Sequence, residues 1–144
     1  MNQESRVAVE VKKSFDAPPQ AVFAAWLDPV IAAKWLFRTP EGQAVHADID
    51  AVPGGEFCFI ERREDEDINH VGEYEVIEAP SRLVFVFSLD QFRTSNRVSI
   101  DFVPVGEGTE VTLIHDLDAE WARFADRTRQ GWALMLDLLA EVLG

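Results

Sequence analysis

Residues Asp118–Leu143, DAEWARFADRTRQGWALMLDLLAEVL, decide the fold. Trp121, Phe124, Thr128, Trp132, Met135, Leu139 and Val142 recur at three- and four-residue steps, the spacing of one helix face. Asp118 is placed to cap it, and about 23 helical residues within 119–143 span roughly 34 Å at 1.5 Å per residue. A helix of that length crosses a small domain from side to side. Its apolar stripe must be buried, and the inward face of a bent sheet is the only large surface the rest of the chain offers.

That sheet is read from the residues upstream. Val45, Ala47 and Ile49 alternate with His46, Asp48 and Asp50, and the turn signal Pro53-Gly54-Gly55 follows. Phe57 and Phe59 continue at period two into the charged run Glu61–Asp67, with Asp65-Glu66-Asp67 as the expected hairpin tip. Gly72, Tyr74 and Val76 alternate on the next strand. Ala79-Pro80-Ser81 turns the chain into a strand whose Leu83, Phe85, Phe87 and Leu89 share a face. Val98, Ile100 and Phe102 repeat the pattern, and Gly106-Glu107-Gly108 makes a hairpin into Val111, Leu113 and His115. Consecutive strands joined by short turns predict an antiparallel meander.

At the N-terminal side, Val7, Val9 and Val11 predict one more strand. Asp16-Ala17-Pro18-Pro19 reads as a helix start with Asp16 as cap, and Val22, Phe23, Trp26 and Leu27 lie at helical spacing. Asp28-Pro29 ends that helix and begins a second, which carries Ile31, Ala32 and Trp35. The expected class is α+β: a curved antiparallel sheet wrapping a long C-terminal helix, with two short helices after the first strand. One domain over 1–144 is expected, since 144 residues suit one domain better than two.

Bulk composition removes several functions. With 26 acidic and 13 basic residues the formal charge is −13, and no Lys/Arg cluster offers the basic face a nucleic-acid binder needs. An anionic membrane surface repels such a chain, and no run approaches the roughly 18 apolar residues of a membrane span. The acidic excess serves solubility or favours a basic partner. Cys58 is the single cysteine, so no intrachain disulfide forms. Met1–Arg6 is polar and lacks a signal peptide's apolar stretch, which points to the cytoplasm.

Several motifs, in order, carry a resemblance. Phe15-Asp16-Ala17-Pro18, Val22-Phe23-Ala24-Ala25-Trp26, Asp28-Pro29 and Trp35 come first. They are followed by Pro53-Gly54-Gly55, Gly72 with Tyr74, and Pro80-Ser81-Arg82-Leu83. Gly108-Thr109-Glu110-Val111-Thr112-Leu113 with His115, and then Gly131-Trp132, complete the set. Over Val7–Leu143 the chain resembles the family named for the activator of the heat-shock-protein-90 ATPase, of the START-like (SRPBCC) superfamily. The resemblance implies the helix-grip fold and a cavity between sheet and long helix. It implies no single activity: related START-like branches bind lipids, hormones or polyketides, and some cyclise polyketides.

Candidate pocket residues follow from the inward faces. Phe57, Phe59, Phe85, Phe87 and Phe102 supply apolar wall, or simply core. Trp35 and Phe37 stand near the expected mouth, or form a lid packed shut. Trp132 and Met135 on the long helix line the pocket or fill the core. His115, in phase with Val111 and Leu113, either orients a ligand, acts as general acid or base, or is a core histidine held by a backbone partner. Tyr74 and Arg97 are the other polar anchors proposed. Gly131 inside the helix costs about 1 kcal/mol against alanine; close approach to the sheet is its favoured explanation, space for a ligand the other. Cys58 alternates with the phenylalanines and faces away. Asp48, Asp50 and Glu56 read as solvated carboxylates more than as a cation site.

No GxSxG elbow, phosphate loop or dinucleotide fingerprint occurs, and His46, His70, His115 and Cys58 lack zinc spacing. No cofactor, metal or catalytic set is therefore expected. The leading functional expectation is a module that binds a small apolar or amphipathic molecule. The alternatives are a chaperone-linked or stress-response interaction protein and a polyketide cyclase-like enzyme. Oligomeric state is open, a dimer included.

Overall fold

The computed structural model describes residues 7–37, 43–89, 96–117 and 119–143. Asp118, the side chain of Leu89 and the polar N-terminus Met1–Arg6 lie outside the described residues. Strand β1 (Val7–Phe15) leads into helices α1 (Pro19–Leu27) and α2 (Pro29–Ala32). Six strands follow: β2 (Gln43–Ile49), β3 (Glu56–Arg63), β4 (Glu66–Glu78), β5 (Arg82–Leu89), β6 (Asn96–Val105) and β7 (Gly108–Leu117). A 3-10 helix, Ala119–Phe124, then precedes the long helix α3 (Ala125–Leu143).

The seven strands form one antiparallel sheet in the order β1-β7-β6-β5-β4-β3-β2. The meander from β2 to β7 is extended by β1 beside β7, and the sheet stays open, with β1 and β2 as its edges. Its inner face and α3 share one core with α1 and the turn after α2: Trp26, Trp35, Phe85, Ile100, Leu113, Leu136 and Leu139 are all buried there. Lys13 Nζ reaches Asp137 Oδ1 at 3.0 Å and ties β1 to α3. The hydroxyl of Thr109 donates to the Ala17 carbonyl at 2.8 Å and ties β7 to the start of the helical layer.

Local chemistry explains the joints, with some departures from the sequence reading. Asp28 ends α1 and caps α2, its Oδ1 accepting from the amides of Val30 and Ile31 at 2.9 and 3.3 Å. Asp16 is not a cap: Pro18 occupies that position of α1, with no side-chain hydrogen bond, and Pro19 supplies the preset first turn. The tip of the β3–β4 hairpin is Glu64-Asp65, because Arg63 pairs with Glu66.

The long helix begins later than its apolar stripe. Residues 119–124 wind as a 3-10 helix, in which positions three apart eclipse, and this sets the Trp121 and Phe124 rings 5.5 Å apart. From Ala125 the face turned to the sheet is Trp132, Leu136 and Leu139, with Met135 half-buried beside it. Gly131 makes no close approach to the sheet; a Cβ there meets nothing within 4 Å. Gly72 is a glycine that sterics demand, since a Cβ would collide with the Phe57 ring and the Val86 carbonyl.

Two bulges change which side chains point inward. One lies between Ala44 and His46, leaving Val45 41% exposed while Ala47 and Ile49 keep to the core side. The other lies between Tyr74 and Val76. Val76 therefore leaves the face of Tyr74, and Ile77 joins the core in its place.

Candidate functional site

The inner face of β3–β5, the end of the turn after α2, and α3 enclose an aromatic region. Phe57, Phe59, Tyr74, Leu83 and Phe85 from the sheet meet Trp26, Leu36 and Phe37 around a void of about 10 Å³. That is the room of about one water. The expected open pocket is thus closed at this point, and Phe37 closes it. Its ring lies against Phe59 (5.4 Å between centroids), Phe57 (5.9 Å), Phe87 (5.1 Å) and Trp132 (6.0 Å), and stacks at 18° on the His70 imidazole, 4.7 Å away. Its amide donates to the Met135 sulfur at 3.0 Å.

Two histidines, each 5% exposed, border this region. On β7, His115 Nδ1 accepts the indole N–H of Trp132 at 2.8 Å, so the neutral ring carries its proton on Nε2. On β4, His70 Nδ1 is buried without a hydrogen-bond partner among the described residues. Burial is the main force on His70 and pushes its pKa down to about 4; the Glu61 carboxylate pulls it up and Arg63 lowers it. Glu61 itself is 1% exposed, and its Oε1 accepts from Arg63 Nε at 2.6 Å. Trp26 Nε1 is also buried without a partner among the described residues. Burial likewise raises the Tyr74 pKa.

The twelve sequence candidates divide by position. Phe57, Phe59, Tyr74 and Phe85 line the void, Phe37 fills the space beside it, and Phe87, His115, Trp132 and Met135 adjoin it. Trp35 and Phe102 belong to the sealed core. The Trp35 indole donates to the Ala25 carbonyl at 3.2 Å, with its ring edge-on to Trp26, and Phe102 packs on Phe23 and Trp26. Arg97 is no pocket anchor. It lies out of phase with buried Val98 and Ile100, its side chain is 53% exposed, and it pairs with Glu75 at 2.9 Å on the outer face. Trp26, Glu61 and His70 were missed, although Glu61 continues the period-two face of Phe57 and Phe59, and His70 that of Gly72 and Tyr74.

The opposite face of the sheet carries an open groove of about 420 Å³ beside Asp48, Glu56, Cys58, Val71, Glu73 and Ser88. Among the described residues no group of three His, Cys, Asp or Glu is placed to hold a metal ion, and no helix is long and apolar enough to cross a membrane.

The motif order, the open seven-strand sheet and the long terminal helix now meet an independent comparison. The model of the family described as "Activator of Hsp90 ATPase homolog 1-like protein" matches residues 16–144. The chain belongs to that family. Among solved structures, the AHSA1-like protein of Aeromonas hydrophila is 26% identical, with 95% of this chain and 92% of that one covered at a TM-score of 0.81. A Chromobacterium violaceum protein is 20% identical, with 94% and 95% covered at 0.85. DynU16, from the dynemicin biosynthetic locus, is 20% identical; 94% of this chain but 46% of DynU16 is covered, at 0.76. The latter two likenesses speak for the fold alone. Curated proteins give no match. AHSA1-like membership supports a ligand-binding domain in general terms.

Proposed function

We propose that this AHSA1-like chain is a single-domain, cytoplasmic small-molecule binding module that takes an apolar or amphipathic ligand between the concave sheet and α3. The observation that carries the reading is an aromatic interior bordered by two buried polar atoms without partners among the described residues, His70 Nδ1 and Trp26 Nε1. Most buried polar groups are hydrogen-bonded, and apolar sites with a few convergent polar groups are the usual form of ligand pockets. Native mass spectrometry and thermal-shift screening with lipids, sterols and aromatic polyketides test it. One ligand retained per chain with a raised Tm is expected; a screen in which nothing is retained and Tm never moves ends the reading.

A cyclase-like activity is the second reading. The observation favouring it is the buried carboxylate of Glu61 on the same face as His70, which adds acid/base groups beyond His115. Turnover unchanged by His70→Ala and by His115→Ala would remove it.

A further inference from the structure

Phe37 occupies its place against the preference of its own backbone. Its φ is +56°, a region that bulky residues rarely enter. Such a conformation persists only where the surroundings over-determine it, and these outliers cluster at ligand clamps. Here the surroundings are rings. Phe57 and His70 lie nearly parallel to the Phe37 ring, each at 18°, and Phe59 and Trp132 present themselves edge-on at 66° and 61°. Stacked and edge-to-face geometry is what a planar aromatic system favours, and a flexible saturated chain gains nothing from it.

The residues of the box differ in what carries them. Phe57, Phe59, Phe85 and Phe87 stand on sheet strands, and Trp132 stands within α3. Phe37 stands on the turn after α2, its backbone N–H donating a hydrogen bond to the Met135 thioether, a weak acceptor. One wall is the face of the buried His70 imidazole.

We infer that the Phe37 side chain holds the place of the ligand, and that the molecule that displaces it carries a planar aromatic ring that stacks on His70. This rests on the small-molecule reading above and names the ligand class of that same site. In the wild type the ligand must first expel Phe37, so the measured affinity is lowered by the small fraction of molecules with the ring out.

The test titrates the full chain with 2-naphthol and with its saturated counterpart decahydro-2-naphthol, in the wild type and in Phe37→Gly. Glycine empties the box and is at home at a positive φ. Phe37→Gly is expected to bind 2-naphthol about tenfold or more tighter than the wild type does, and tighter by a similar factor than it binds the saturated alcohol. Adding His70→Leu is expected to remove most of that gain. No gain from Phe37→Gly, or equal affinity for the two alcohols, overturns the inference. If Phe37→Gly fails to give a folded NMR spectrum, the wild type decides: 2-naphthol must shift the ring resonances of both Phe37 and His70, and shifts confined to other residues overturn it. The two readings fail separately. A lipid or sterol that stabilises the wild type while 2-naphthol does none of the above removes only the aromatic assignment; a screen without any binder removes both.

Discussion

The seam between β7 and α3 and the opposite wall between β4 and the turn after α2 each bury one histidine to the same extent, and the two are used differently. At the seam, His115 takes the Trp132 indole proton and joins sheet to helix through a directed bond. At the far wall, His70 stacks on Phe37 and bonds only to backbone of its own hairpin, at Phe59 and Ile68, while its Nδ1 has no partner among the described residues. Two residues of one type and one burial thus divide into a joint and a vacancy. The division depends on whether the facing side chain brings a donor, as tryptophan does, or only a ring, as phenylalanine does.

The strongest way to break this contrast is at the joint. Trp132→Ala removes a buried indole and strands the imidazole it served, and a loss of about 3–5 kcal/mol is expected in urea unfolding. Trp132→Phe keeps most of the packing and isolates the hydrogen bond at about 1–3 kcal/mol. A neutral Trp132→Phe would mean that the seam is no joint.

Acid provides the next test, and it acts on the other wall. His70 titrates near 4 in the folded chain against an ordinary 6.5, so between those values the unfolded chain holds a proton that the folded chain does not. Stability therefore rises with pH across that window and falls on acidification, by at most about 3 kcal/mol for this group. Thermal melts from pH 7 to 4 on the wild type and His70→Phe should diverge, with the variant losing less. Parallel curves would show that His70 is not the buried neutral group described. At pH 7, His70→Phe keeps the ring packing and is expected to cost less than His115→Phe, which leaves the Trp132 N–H without its acceptor and costs about 1–3 kcal/mol.

Smaller effects sharpen the boundary of the interior. Gly131→Ala adds a methyl where nothing stands within 4 Å and should stabilise α3 by roughly 0.5–1 kcal/mol, read as a higher urea midpoint. Arg97→Ala breaks only an exposed pair with Glu75 and should stay within about 0.5 kcal/mol, with ligand binding unchanged. A large loss from Arg97→Ala would return that residue to the site.

The architecture was legible because strand alternation and helical spacing are dictated by which faces must be buried, and those faces are broad. What escaped was local. The bulges at Val45 and Glu75 each add one residue to a strand, and a count at period two passes over such a slip. Arg97 was chosen for its chemistry although Val98 and Ile100 already showed its phase to be outward. Glu61 and His70 had the inward phase, but a charged run hid the first and the absence of zinc spacing drew attention from the second. Phe37 has no periodic neighbours, and a residue that enters the core from a turn leaves no pattern to read.

The open sheet has one more consequence. Among the described residues β2 pairs only with β3, so its other side presents a row of backbone donors and acceptors on which a strand from another molecule can add. The slip between Ala44 and His46 breaks the spacing of that row, and Asp48 and Asp50 stand exposed at its end. A second copy approaching it brings the same carboxylates and a charge of −13 of its own. The fold that curls around α3 without closing is in this way guarded against propagating into fibrils.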